Sequence, residues 1–192
     1  MHQQIPHESA SLHVTGEALY VDDLPASPSL LVGRVVCSPH AHARILSHDL
    51  SKARKAPGVV AVISAKDIPG HNQMGPVVKD EPCLAADEVT FVGQAVFLIA
   101  AETDAQCRAA EKLIDVTYQA LEPILTIDDA IARNNLLGPP RTRQRGDADA
   151  ALRSAKHVIE GELRTGAAEH WYLETQASLC VPGEADEITV HS

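Results

Sequence analysis

Apolar and polar positions follow two rhythms along the chain. Leu30 to Cys37 is apolar and rich in β-branched residues, which predicts a strand. Ser38-Pro39-His40-Ala41-His42-Ala43-Arg44 interrupts it, and Ile45 to Leu50 predicts a second extended piece. Ser51 is placed to cap a short helical turn through Ala56, stopped by Pro57-Gly58. Val59 to Ser64 then predicts a compact buried strand. Ala65 to Pro82, with Pro69-Gly70 and Gly75-Pro76, predicts turns over the surface. By contrast, His7 to Asp23 is polar and irregular.

The clearest local unit follows. Phe91 to Ala101 is a strand-like run broken only by Gly93-Gln94. Thr103 opens a helix, and Gln106 three residues on completes a capping-box pattern. Helical spacing puts Ala109, Ala110, Leu113 and Ile114 on one face, with Arg108, Glu111 and Lys112 towards water. Val116 to Tyr118 is extended again, so the unit predicts a strand–helix–strand element of βαβ type.

After Ile127 the pattern changes. Asp128-Asp129 can start a short helix through Arg133, and Asn134 to Gly146 is a Pro/Gly/Arg stretch without periodicity. The predicted organisation is one domain over residues 1–135, a linker over 136–146, and the opening of a second domain over 147–192. Asp147 is placed to cap a helix through Ala155. His157 to Arg164 alternates like a half-buried strand. Trp171 to Val181 and Ile188 to Ser192 predict two more strands around the turn Pro182-Gly183-Glu184. The last run meets no terminating signal, which leads us to expect a domain that continues. The expected fold class is α+β.

Composition narrows the function. The 192 residues are 45% hydrophobic, which fits a globular domain. The uncharged run from Val89 to Ala101 includes too few residues for a membrane crossing, which takes about 20. No secretory signal opens the chain, so a soluble, cytoplasmic protein is expected. With 26 acidic against 16 basic residues, net charge −10, nucleic acid and anionic membranes are disfavoured as partners. The Arg141, Arg143 and Arg145 cluster is read as a solvated loop. The four cysteines are too scattered for a disulfide scaffold or a zinc or iron–sulfur ligand set. Cys37 and Cys107 read as small hydrophobes.

Three places are candidates for chemistry. His40 and His42 alternate with alanines, so two imidazoles on one face could bind a metal, although solvated or structural histidines are the favoured reading. Gly166 to Glu174 gathers Glu169, His170 and Glu174 with Trp171 and Tyr172. Glu169 and His170 could move protons in a cleft, or equally could be hydrogen-bonding support at a strand entrance over a packed Trp171. Gly93-Gln94 lacks the spacing of a phosphate loop and reads as a bulge allowing close backbone approach. No nucleophile elbow, His-Glu-x-x-His or dinucleotide fingerprint is present.

In order, His7–Pro25, Ser38–Ile45, Pro57–Gly70, Asp80–Ala85, Val89–Thr103, Val116–Ile131 and Gly146–Pro182 resemble the start of the molybdenum-binding large subunit of bacterial xanthine dehydrogenases, in the molybdenum hydroxylase family. Aldehyde oxidases and carbon monoxide dehydrogenase share parts of the pattern. The resemblance implies an α/β hammerhead domain followed by the first strands of a molybdopterin-binding domain. It implies hydroxylation of hypoxanthine and xanthine to urate at Mo-molybdopterin, with electrons leaving through 2Fe-2S clusters and FAD in a partner subunit or region. In that family the catalytic Glu, the substrate-binding residues and the main cofactor contacts follow the position of Ser192, so no catalytic residue and no metal ligand is expected in this chain. Gly93, Gln94, Glu169, His170 and Glu174 are expected as support near the cofactor. Where the family has Gly-Gly-Gln-Glu-His-Phe, this chain has Gly166-Ala167-Ala168-Glu169-His170-Trp171, which suggests relaxed constraint there.

The leading expectation is therefore a portion of a xanthine dehydrogenase, inactive alone, whose partners are the FAD/iron–sulfur subunit and the rest of the large subunit. The rivals are the same portion of an aldehyde oxidase-type enzyme, a stand-alone interaction or assembly module, and a small metal-binding protein using His40 and His42.

Overall fold

The computed structural model describes residues 5–25, 27–170, 172 and 176–192. The chain divides into two compact units, Ser27–Arg141 and a second made of Met1–Ala26 with Thr142–Ser192.

The larger unit is organised around a central strand. Its strands are β1 (Val32–Cys37), β2 (Ala43–Asp49), β3 (Val59–Ile63), β4 (Glu88–Val89), β5 (Ala95–Ala101) and β6 (Asp115–Ala120). They form two antiparallel three-stranded sheets, ordered β1-β5-β3 and β4-β2-β6. Ile99 on β5 lies opposite Arg34 on β1 and Val62 on β3, so β5 has hydrogen-bonded neighbours on both sides. Its side chains Val96, Phe97, Ile99 and Ala101 are all at most 2% exposed. The apolar run thus becomes a buried central strand, as continuous hydrophobicity predicts. His48 on β2 meets the Phe97 ring edge-on, with centroids 5.1 Å apart, and links the two sheets.

The helix α1 (Ala10–Thr15) belongs to the smaller unit, and the larger unit carries α2 (Ser51–Arg54), α3 (Asp104–Glu111) and α4 (Ile127–Ala132). The Thr103 hydroxyl oxygen accepts from the Gln106 amide at 3.3 Å, the expected cap. The Gln106 side chain bonds that same hydroxyl rather than the Thr103 backbone, so the box is only half formed. The face turned inward is Cys107, Ala110 and Ile114. Ala109 and Leu113, predicted to be inside, are exposed, and Glu111, predicted outside, is half-buried against Arg34 at 2.6 Å. The small side chains of Cys107 and Ala110 let the helix lie close on β1 and β5, and the Cys107 thiol donates to the Val32 carbonyl at 3.3 Å. Burial pushes that thiol's pKa up.

The strand–helix–strand unit is present but is not βαβ. Strand β5 belongs to one sheet and β6 to the other, and every strand pair among the described residues is antiparallel. An eight-residue helix with tight connections carries the chain from sheet to sheet instead of returning it to a parallel neighbour. Ser51 is the first helical residue of α2 rather than its cap, and its amide is held by the Asp49 carboxylate at 2.8 Å. Thr126, ahead of Asp128-Asp129, caps α4.

In the smaller unit, α1 occupies part of the stretch that its polarity made irregular, and Gly16 closes it in the left-handed region (φ +78°). Asp147 caps α5 (Ala148–Ser154) through the Ala150 amide at 2.8 Å, as its spacing predicts. The predicted strand His157–Arg164 is absent. Its alternation is real, but every residue there is exposed and no described strand pairs with it. A strand needs a ladder as well as a pattern. The expected strand over Trp171–Val181 is reduced to β7 (Leu179–Pro182), while Trp171 and residues 173–175 lie outside the described residues. Among the described residues, strand β7 pairs only with β8 (Ile188–His191), as a hairpin. A lone two-stranded hairpin is marginal in water.

Ile99→Ala removes a fully buried branched side chain between two strands and should destabilise the larger unit by about 2–5 kcal/mol in urea titrations. Limited proteolysis should cut first within residues 155–170, which carry no helix or strand, and leave a resistant fragment close to Ser27–Arg141.

Candidate functional site

Gly93 and Gln94 lie in a turn that enters β5. The Gln94 amide donates to the Phe91 carbonyl at 3.3 Å, which closes the turn over Phe91–Gln94. Gly93 has φ +92°, a conformation that favours glycine, whereas a Cβ there would meet nothing within 4 Å. The glycine thus serves backbone conformation, not the close approach expected from the sequence. The bulge lies further on, where Val36 faces Phe97 but Cys37 faces Ala95.

Gln94 is only 7% exposed. Its side-chain oxygen accepts from the Thr90 amide at 2.7 Å and from the Thr90 hydroxyl at 3.3 Å. Its carbonyl accepts from the Ser38 amide, and the Ser38 carbonyl from the Gly93 amide, both at 2.8 Å. Gln94 therefore bolts the turn to the end of β1. Ser38 and Thr90 complete this arrangement. Sequence reasoning missed Ser38 because its partners are more than fifty residues away.

The alternating histidines take separate jobs. The His40 ring packs on Tyr118, with centroids 4.7 Å apart. His42 sits between two acceptors, with Nδ1 at 3.0 Å from the Glu122 carbonyl and Nε2 at 2.8 Å from the Glu88 carboxylate. Two acceptors on two ring nitrogens call for both protons, so the site favours imidazolium. The Glu122 carbonyl first, and Glu88 second, raise the His42 pKa above its ordinary 6.5. The Glu122 carboxylate is in turn held low by Arg133 at 2.5 Å. Neither His42 nitrogen is left for a metal, and the described residues contain no group of three His, Cys, Asp or Glu able to hold one.

Glu169 and His170 lie in the other unit, on exposed chain without regular structure. Glu169 accepts from the His170 backbone amide at 3.0 Å, and the His170 ring stacks on Tyr172 with centroids 5.6 Å apart. Glu174 lies outside the described residues. Of the residues expected near the cofactor, Gly93 and Gln94 thus lie in one unit and Glu169 and His170 in the other. An open depression of about 530 Å³, lined by His48, Arg54, Lys66 and Asp67 among others, includes none of them. No helix among the described residues is long and apolar enough to cross a membrane.

Residues 15–122 match the family described as aldehyde oxidase and xanthine dehydrogenase, a/b hammerhead domain. Residues 128–192 match the molybdopterin cofactor-binding domain. The chain belongs to this family of molybdenum hydroxylases. It is 44% identical to a xanthine dehydrogenase of Dictyostelium discoideum over 99% of this chain and 14% of that protein. It is 43% identical to aldehyde oxidase 2 of Macaca fascicularis over 95% of this chain and 13% of that protein. Its fold matches aldehyde oxidoreductase from Desulfovibrio gigas with TM-score 0.79 and 25% identity, covering 97% of this chain and 23% of that one. The chain thus spans about one seventh of the length of the curated relatives it matches.

The described residues do not by themselves fit a molybdenum–pterin group. Gln94 has its amide oxygen committed to Thr90, and Glu169 and His170 are exposed.

His42 has a raised pKa, so its contribution to stability is fully present below about pH 6.5 and is lost as pH rises through the folded value. His42→Gln should lower Tm most at about pH 6, with the gap to wild type narrowing as the pH rises and His42 loses its proton. Thermal melts over that rise, with an NMR titration of His42, check this.

Proposed function

We propose that this chain is the N-terminal portion of the molybdenum-binding subunit of a xanthine dehydrogenase, which when complete hydroxylates hypoxanthine and xanthine to urate in the cytoplasm. The observation carrying this reading is an ordered match over 99% of the chain that covers only 14% of a relative. Residues 1–135 are the hammerhead domain, 136–146 the linker and 147–192 the opening of the molybdopterin-binding domain. Mo-molybdopterin belongs to the complete subunit, and FAD and 2Fe-2S clusters to a partner subunit or region. Gly93, Gln94, Glu169, His170 and Glu174 act as support on the cofactor side, and the chain alone does not turn over.

The 43% identity to an aldehyde oxidase favours a second reading, the same portion of an aldehyde-oxidising enzyme. The test is the intact mass of the protein isolated from its source, followed by oxidation assays with hypoxanthine and with an aromatic aldehyde. A mass well above 20.5 kDa and a preference for the purine are expected. A preference for the aldehyde selects the second reading. A native mass of 20.5 kDa, or turnover by the isolated chain, overturns the proposal; the former leaves a stand-alone interaction module.

A further inference from the structure

The sheet β1-β5-β3 has one closed face and one open face. Arg34, Ile99 and Val62 form a row on the closed face, where α3 packs and Arg34 reaches Glu111. On the opposite face, Val35, Leu98 and Ile63 lie side by side in one row, and Gly33, Ala100 and Ala61 in another. An antiparallel sheet with a single covered face normally carries polar side chains on the other. These two rows carry none. Val35 is 48% exposed, and a Cβ built on Gly33 would meet nothing within 4 Å, so the face is open. It also carries no charge, on a chain of net charge −10.

The size of the face indicates its occupant. Three strands about 4.8 Å apart, over five residues at about 3.4 Å each, make roughly 240 Å². A stable complex between separate molecules needs about 800 Å² on each partner. A second copy would also bring another ten negative charges. A patch this small holds a partner well only when the partner is tethered and so kept at high effective concentration. Relatives at 43–44% identity are single chains about seven times longer than this one.

We propose that the Val35/Gly33 face docks a further domain of the same polypeptide, through an apolar, uncharged surface on that domain. This rests on the larger-subunit reading but not on its substrate. Cys37 follows Gly33 and Val35 in the strand alternation and is exposed, so its thiol reports on cover over the face, while buried Cys107 reports on folding.

The experiment is maleimide labelling of native protein and of the isolated 192-residue chain, read residue by residue by mass spectrometry, with the mass of the isolated chain in solution measured alongside. Cys37 should label at least tenfold more slowly in the native protein than in the isolated chain, which should be monomeric. Val35→Glu in the native protein should restore fast labelling of Cys37 while Cys107 stays unreactive. If that variant exposes Cys107 as well, the wild-type comparison still decides. Equal labelling of Cys37 in a larger native chain overturns the docking face alone. An isolated chain that dimerises and protects Cys37 does the same, in favour of a second copy. A native mass of 20.5 kDa overturns this proposal and the larger-subunit reading together.

Discussion

The larger unit depends on the satisfaction of one buried strand. β5 is apolar at all seven positions, so it cannot lie at the surface, and once buried its backbone groups must find partners on both sides. β1 and β3 supply them. That requirement makes β5 central, ties two segments that lie more than thirty residues away in sequence, and fixes which face α3 covers. Small side chains are the other half of the solution. Ala101, Cys107 and Ala110 are fully buried, and bulkier residues there would hold the helix off the sheet.

Polar groups are then arranged to hold the ends of this core. Ser38, Thr90 and Gln94 close the turn that feeds β5, with every bond between a donor and an acceptor close at hand. Arg34 crosses from β1 to Glu111 on α3, and Arg54 on α2 donates to the Val62 carbonyl of β3. The two arginine bonds sit at the rim, half-exposed. Their effect is on which geometry is chosen more than on how strongly it is held. His42 belongs to the same class, joining the start of β2 to β4 and to the chain after β6.

The smaller unit shows the contrast. It has capped helices and a hairpin, which are local structures, and its 155–170 stretch has neither ladder nor cover among the described residues. Local hydrogen bonds suffice to form a helix turn or a hairpin, while burial of apolar surface needs a second layer. Family membership supplies the frame for this difference, since the relatives that match the whole chain carry it as about one seventh of a much longer polypeptide.

Residue order alone determined what depends on near neighbours. The β5 run, the Thr103 and Asp147 caps, the α+β class and the family resemblance were all legible there, because each rests on periodicity, a cap three residues away, or an ordered set of segments. Pairing was not legible. The β5–α3–β6 unit read as βαβ because sequence spacing does not say to which sheet the second strand goes. The alternation of His157–Arg164 could not reveal that no described strand pairs with it. Glu111 read as a surface residue until Arg34, seventy-seven positions earlier, was brought beside it. His42 gained its partners forty-six and eighty positions away. Tertiary structure alone decided these contacts, because hydrogen bonds and packing act over a few ångströms and only folding brings distant residues that close.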